Sequence, residues 1–116
     1  MSDRVEELSQ RLAEFAHARD WEQFHSPKNL SMALIAEAAE LVEHFQWLTQ
    51  EQSRMLPAEK LEEVRMELAD IQIYLLRIAE RLDIDLIQAA YDKMAINESR
   101  YPADKVRGSA KKYSEY

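Results

Sequence analysis

The sequence lacks cysteine and is poor in the residues that form tight turns. Its 116 residues include no cysteine, one glycine and three prolines. Without cysteine, disulfide scaffolds and zinc sites with thiolate ligands are excluded. Few glycines and prolines argue against a sheet protein with many turns, and the abundant Ala, Leu, Glu, Arg and Gln favour helices. A single all-helical domain with a hydrophobic core is therefore expected.

The chain also lacks a surplus of basic residues and any long apolar run. Its formal net charge is −7, whereas a nucleic-acid groove needs excess Lys and Arg to neutralise phosphates. No run approaches the roughly 20 apolar residues of a membrane span, and the first residues show no apolar signal segment. We therefore expect a cytoplasmic protein that binds neither nucleic acid nor membrane. A small anionic ligand remains compatible if metal ions bridge it to acidic side chains.

Apolar periodicity predicts four helices, at about residues 3–19, 26–48, 57–82 and 85–101. Short connections favour antiparallel neighbours, so the predicted fold is an all-α four-helix bundle. The third helix carries a regular apolar seam that suits packing inside such a bundle. Residues 1–102 are assigned to the helical domain, and residues 103–116 to a charged C-terminal segment, either a flexible tail or an arm on a partner subunit. The seam consists of Leu61, Val64, Leu68, Ile71, Leu75, Ile78 and Leu82.

Two pairs of carboxylates interrupt the apolar stripes of the second and third predicted helices. Glu37 and Glu40 form one pair, and Glu67 and Asp70 form the other. A step of three residues places both members of a pair on one helical face. Acids that face a core are costly unless positive charge lies between them. Because Mg²⁺ prefers oxygen ligands, the pattern predicts a metal site.

All four acids are expected to converge if the two helices are antiparallel. The chain between Glu40 and Glu67 is about long enough to run up one helix and back down the next. A solvated helix face is the ordinary explanation for one such pair, and it weakens when two pairs interrupt apolar stripes. His44 is expected to be an exposed helical residue. Glu63, one turn before Glu67, is either a surface charge or a residue that assists the site.

Aromatic residues lie close to these acids in the sequence. Trp47 follows Glu40 by seven residues along the second predicted helix, and Tyr74 follows Asp70 by four along the third. The loop at residues 21–25 reads Trp-Glu-Gln-Phe-His. Acids beside aromatic rings suit a nucleotide whose phosphates bind through Mg²⁺ and whose base stacks on the rings. Simple packing roles for these aromatic residues remain the alternative at this point.

Several short motifs follow one another in a specific order. They are RDWEQFH at 19–25, PKNL at 27–30, EAAEL at 37–41, FQW at 45–47, ELADI at 67–71, YL at 74–75, KM at 93–94 and NESRYP at 97–102. In this order they resemble the all-α nucleoside triphosphate pyrophosphohydrolases of the MazG-like superfamily, and most closely the dCTP pyrophosphatase branch. The resemblance extends from about residue 12 to residue 102.

The resemblance implies a reaction, a metal and an assembly. The reaction is hydrolysis of a (deoxy)nucleoside triphosphate, dCTP or a modified dCTP, to the monophosphate and pyrophosphate, which would cleanse the nucleotide pool. The cofactor is Mg²⁺, bound by the catalytic residues Glu37, Glu40, Glu67 and Asp70, and the assembly is a homotetramer built as a dimer of dimers. The implied substrate-binding residues are Trp21, Glu22, Gln23, Phe24, His25, Trp47, Tyr74, Lys93, Asn97 and Arg100.

One position departs from this resemblance. Leu12 stands where dCTP-specific members have a histidine, so a strict preference for dCTP does not follow. The number of Mg²⁺ ions and the carboxylate that acts as general base also stay open.

Two other classes of function fit the sequence less well. A di-iron or di-manganese bundle needs Glu-x-x-His motifs on facing helices, and the motif at Glu22 and His25 lies in a predicted loop. A non-enzymatic helical adaptor would explain the apolar seam, but not the acids that interrupt it.

Overall fold

The computed structural model describes residues 2–110 and 113–115. Within them the chain forms helices and no strand, which confirms the predicted all-α class. All four predicted helices are present. The helices are α1 (Ser2–Ala18), α2 (Pro27–Glu43), α3 (Gln50–Ser53), α4 (Ala58–Arg81), α5 (Leu86–Arg100) and α6 (Ala103–Val106), with 3₁₀ turns at Glu22–Phe24 and Tyr113–Glu115. No helix among the described residues is long and apolar enough to cross a membrane.

The chain divides into two compact units, one up to Ile84 and one from Asp85 onward. The first unit contains α1 to α4, and α4 packs mainly against α2 and also against α1. The second unit contains α5 and α6. Helix α6 and the second 3₁₀ turn lie within the predicted tail, whose residues 111, 112 and 116 fall outside the described residues.

Local capping signals fix where the helices begin. The Ser26 hydroxyl accepts a hydrogen bond from the Asn29 backbone N–H at 3.1 Å, and Pro27 occupies the first helical position, as predicted. Asp85 caps α5 in the same way through the Gln88 N–H, also at 3.1 Å. These caps satisfy N–H groups that have no partner within the helix.

Two helices end at an aspartate in the left-handed conformation, Asp20 after α1 and Asp83 after α4, with φ of 55° and 56°. After α1 the Trp21 N–H donates to the Ala16 carbonyl at 2.9 Å. This six-to-one hydrogen bond is typical of a Schellman motif, which reverses the chain direction. The reversal places the aromatic loop directly after the end of α1.

Helix α2 is shorter than predicted. It ends at Glu43, and residues 44–48 form turns, with hydrogen bonds from Phe45 N–H to Val42 O and from Leu48 N–H to Phe45 O, both 2.9 Å. The prediction that Trp47 extends the helical face of Glu40 is therefore wrong. The apolar residues keep helical spacing as far as Leu48, which led to the longer prediction. The backbone hydrogen bonds after Glu43 have turn geometry instead, and the helix ends there.

The seam predicted on α4 is only half buried in this chain. Val64 is buried and Ile71 and Ile78 are half-buried, whereas the other four members are exposed. Residues spaced alternately three and four apart form two adjacent stripes on a helix. Within this single chain only the stripe of Val64, Ile71 and Ile78 is covered by other residues. The exposed stripe consists of Leu61, Leu68, Leu75 and Leu82, and we call it the leucine stripe.

Candidate functional site

Three of the four predicted acids meet between α2 and α4. Glu37 comes from α2, and Glu67 and Asp70 come from α4. One carboxylate oxygen from each lies within 4.8 Å of the others. Glu37 and Glu67 are half-buried, and Asp70 is exposed. The packing of α4 against α2 thus brings together acids that are about 30 residues apart in the sequence.

The fourth acid, Glu40, acts on the same cluster. Partial burial raises the pKa of Glu37 to about 7, and a hydrogen bond with Glu40 and the charges of Glu40, Asp70 and Glu67 add to the increase. Burial also raises the pKa of Glu67, and a hydrogen bond with Glu40 and the negative charge of Glu40 raise it further. Without a cation, this concentration of negative charge opposes full ionisation of the cluster.

The cluster contains carboxylate oxygens without hydrogen-bond partners. Within the described part of the chain, Oε2 of Glu37 and Oε2 of Glu67 are both buried and unpaired. A buried unpaired oxygen is costly unless an ion or another donor satisfies it. Oxygen-only ligands from four carboxylates suit a hard divalent cation better than a soft metal. The residues therefore fit the predicted Mg²⁺ site.

His44 lies next to this cluster and was wrongly expected to be exposed. Its side chain is 17% exposed at the end of α2, with Nε2 3.9 Å from Oε1 of Glu67. Nδ1 lies 3.3 Å from the Lys60 ammonium, which pairs with Glu63 at 3.0 Å. The spacing of four residues from Glu40 was the signal that could have placed His44 at the site.

A cavity of about 530 Å³ is lined by Asp70 together with aromatic residues. Tyr74 lines it from α4, and Trp21 and His25 line it from the loop. The Trp21 ring packs edge-on against Phe15 at 5.7 Å and lies 6.2 Å from the His25 ring. The structure thus joins the acids to Tyr74 and to part of the predicted aromatic loop. Leu12, Phe15 and Arg77 also line this cavity, and the sequence did not single out Phe15 or Arg77.

Side-chain hydrogen bonds fasten the loop at several points. The Asn29 amide donates to the Phe24 carbonyl at 3.1 Å, and the Gln23 amide donates to the Asp20 carbonyl at 3.0 Å. Glu22 pairs with His17 on α1. Glu22 and Gln23 therefore have partners within the chain, and Phe24 is 58% exposed. Their contacts with substrate stay predictions.

The remaining predicted residues belong to other elements of the chain. Trp47 is in the turn after α2 and is 87% exposed. Lys93, Asn97 and Arg100 belong to α5 in the second unit, where their spacing places them along one helical face. Their role in substrate binding stays a prediction.

Comparison with known proteins shows the family of the chain. The sequence profile described as the MazG-like family matches residues 33–116, which include all four acids. The chain belongs to the MazG-like family. The predicted family is thereby confirmed.

Named relatives of this MazG-like protein share the resemblance over almost the whole chain. It is 44% identical to mouse (Mus musculus) dCTP pyrophosphatase 1 over 113 residues, which cover 96% of the chain and 66% of the mouse protein. It is 46% identical to the cattle (Bos taurus) protein of the same name over 114 residues, with 96% and 67% covered. The chain thus spans about two thirds of the length of these relatives.

A solved structure has the same fold. The chain resembles a pyrophosphatase from Archaeoglobus fulgidus with a TM-score of 0.76 and 41% identity. The similarity covers 85% of this chain and 93% of the archaeal one.

Proposed function

We propose that this protein is a Mg²⁺-dependent nucleoside triphosphate pyrophosphohydrolase, which cleaves between the α- and β-phosphates. The observation that carries the proposal is the contact of the carboxylate cluster with the aromatic cavity at Asp70. Membership of the MazG-like family and similarity to proteins named dCTP pyrophosphatase 1 support it. The cytoplasmic location expected from the sequence stays a prediction.

The acids and the cavity have separate roles in this proposal. Glu37, Glu40, Glu67 and Asp70 would hold Mg²⁺, which supplies charge neutralisation at the phosphates and acidifies a bound water. The unpaired oxygens of Glu37 and Glu67 are the natural ligands. Lys60 keeps Glu63 in an ion pair, and His44 lies beside both Glu63 and Glu67. Through these contacts His44 and Lys60 lie on the side of the cluster next to Glu67.

The aromatic cavity would receive the nucleoside. The rings of Trp21, Tyr74 and Phe15 offer stacking surfaces, and stacking contributes roughly 1–3 kcal/mol per base. We propose dCTP or a 5-modified dCTP as the preferred substrate. Because Leu12 lines the same cavity, the residue that departs from the dCTP-specific pattern is positioned to alter the base preference.

A panel of triphosphates tests this proposal. With Mg²⁺ present, we expect turnover of dCTP and 5-methyl-dCTP to the monophosphate, with a lower kcat/KM for purine nucleotides. Chromatographic separation of mono-, di- and triphosphates identifies the bond that is cut. Nucleoside diphosphate as the product, or no turnover of any triphosphate, would contradict the proposal.

We further propose that the leucine stripe is a subunit interface of a homotetramer, arranged as a dimer of dimers. Leu61 and Leu68 are 56% and 51% exposed, and Ile35 on α2 is 67% exposed. Leucines that recur at every seventh residue along one helical face and stay exposed to water are unusual for a stable single chain. Burying a Leu side chain fully is worth about 1.5–3 kcal/mol, so pairing two stripes would stabilise both subunits.

Substituting Leu68 tests this interface. In an isologous interface each substitution appears twice, so Leu68→Lys should place two charges in the contact and reduce the assembly to dimers or monomers. Leu68→Met keeps an apolar side chain of similar volume and should leave the tetramer intact. Light scattering coupled to size-exclusion chromatography measures both. A wild-type monomer, or a tetramer in Leu68→Lys, would refute the assignment.

A further inference from the structure

Arg77 is a buried cation beside the aromatic cavity. It lies on α4, one turn after Tyr74, and is only 3% exposed. Arg77 lines the same cavity as Trp21 and His25. A buried charge is costly unless it is paired and hydrogen-bonded. The groups that pair with Arg77 therefore indicate what this buried charge does.

Two partners hold the Arg77 guanidinium. Nη1 donates to Oε2 of Glu80 at 3.0 Å, and Nη2 lies 3.3 Å from Nδ1 of His25. Nε is buried without a hydrogen-bond partner among the described residues. The contact with His25 joins α4 to a loop residue 52 positions earlier in the chain.

This contact determines which ring nitrogen of His25 carries the proton. A guanidinium has only donors, so Nδ1 of His25 must accept the hydrogen bond from Arg77. The ring proton of neutral His25 is therefore on Nε2. Burial lowers the pKa of His25, and the charges of Arg77 and Arg81 lower it further, so the neutral ring is favoured.

The backbone of His25 is held as well. Nε of Arg81 donates to the His25 carbonyl at 3.1 Å. Arg77 thus fixes the ring and Arg81 fixes the main chain, from successive turns of one helix. The two arginines offer a natural comparison, because both carry positive charge next to His25 and only one contacts the ring.

We propose that Arg77 is a positioning residue that holds His25 as the Nε2–H tautomer, so that the nucleoside cavity presents a fixed hydrogen-bond donor. This inference rests on the proposed function. A fixed donor favours a ligand with an acceptor at the matching position, such as a pyrimidine carbonyl. A freely exchanging tautomer would present a donor only part of the time, and ligand binding would weaken accordingly.

The tautomer can be measured without substrate. The chain has three histidines, so ¹⁵N spectra at pH 8 can be assigned by comparison with His25→Gln. We expect a protonated Nε2 and an unprotonated Nδ1 for His25 in the wild type. Arg77→Met should give a mixture of tautomers, whereas Arg77→Lys, which keeps a donor, should retain most of the Nε2–H form. Arg81→Met removes a neighbouring charge and should leave the tautomer unchanged.

Enzyme kinetics provide the second measurement. For the triphosphate that is turned over best, Arg77→Met should raise KM about twofold, because an even mixture of tautomers halves the fraction of enzyme that presents the donor, with a smaller change in kcat. Arg77→Lys should recover part of this loss.

The results separate this inference from the proposed function. A wild-type His25 with its proton on Nδ1, an unchanged tautomer in Arg77→Met, or an unchanged KM would overturn the inference. The position of the His25 proton is read from the wild-type spectrum alone, so this test remains even if Arg77→Met does not fold. Failure of the proposed function would appear as absent turnover, while the tautomer result would still support or refute the role of Arg77 at His25.

Discussion

Replacing Glu40 by glutamine, or Asp70 by asparagine, is expected to lower Mg²⁺-dependent turnover at least about 100- to 1,000-fold. Either change removes a negative charge from the acids around Glu37 and Glu67, which we propose to hold Mg²⁺. Metal ions contribute several kcal/mol of transition-state stabilisation, and each 1.36 kcal/mol corresponds to a factor of ten in rate. Initial rates are measured with saturating triphosphate across a Mg²⁺ titration. They give the loss of turnover and any change in the Mg²⁺ concentration needed for half-maximal rate.

Matched substitutions on the same helices provide the controls. Glu43→Gln removes an exposed acid at the end of α2, and Glu62→Gln removes an exposed acid of α4 that pairs with Arg65 at 2.9 Å. Both change the net charge by the same amount as the test variants. Exposed ion pairs contribute little, so both controls should retain near wild-type rates. Equal losses in test and control variants would show that net charge, rather than metal binding, sets the rate.

The metal-free protein is expected to lose stability as pH rises from about 4.5 to 7, and Glu37→Gln should remove part of this loss. The pKa of Glu37 is raised from an unfolded value of 4.5 to about 7 in the folded chain. Below pH 4.5 both states are protonated. Above pH 4.5 the Glu37 carboxyl loses its proton in the unfolded state but keeps it in the folded state. The free energy of unfolding therefore falls as pH rises, and this fall ends near pH 7, where the folded state also loses the proton.

Urea unfolding in EDTA at pH 5 and pH 8 measures this difference, at one fixed protein concentration because assembly affects apparent stability. At pH 8, Glu37→Gln should be more stable than the wild type without metal. Added Mg²⁺ should stabilise the wild type and have a weaker effect on the variant. Glu43→Gln, on the same helix, serves as the control and should follow the wild type. A Glu37→Gln variant that is less stable than the wild type at pH 8 in EDTA would contradict the repulsion described for the cluster.

The carboxylate pairs could be predicted from the sequence because they depend on helical spacing alone. A step of three residues fixes the face of Glu37 relative to Glu40 and of Glu67 relative to Asp70. The start of α2 was equally local, since Ser26 and Pro27 make the cap themselves. Antiparallel packing of α2 and α4 then brought the acids together, as the length of the connection had indicated.

The features that the sequence did not reveal depend on tertiary contacts. The end of α2 at Glu43 depended on a change in backbone hydrogen bonding that apolar spacing does not encode. The exposure of the leucine stripe could not be predicted, because the same periodicity describes contacts within a chain and between chains. The contact of Arg77 with His25 joins residues 52 positions apart, and no spacing rule links them.

The most direct test of the central claim follows dCTP hydrolysis by ³¹P NMR in the wild type and Glu40→Gln, with Mg²⁺ and with EDTA. The account predicts equal amounts of dCMP and pyrophosphate from the wild type with Mg²⁺, and almost no reaction in EDTA or in Glu40→Gln. Release of orthophosphate, or equal rates with Mg²⁺ and EDTA, would contradict a carboxylate-bound metal that supports cleavage between the α- and β-phosphates.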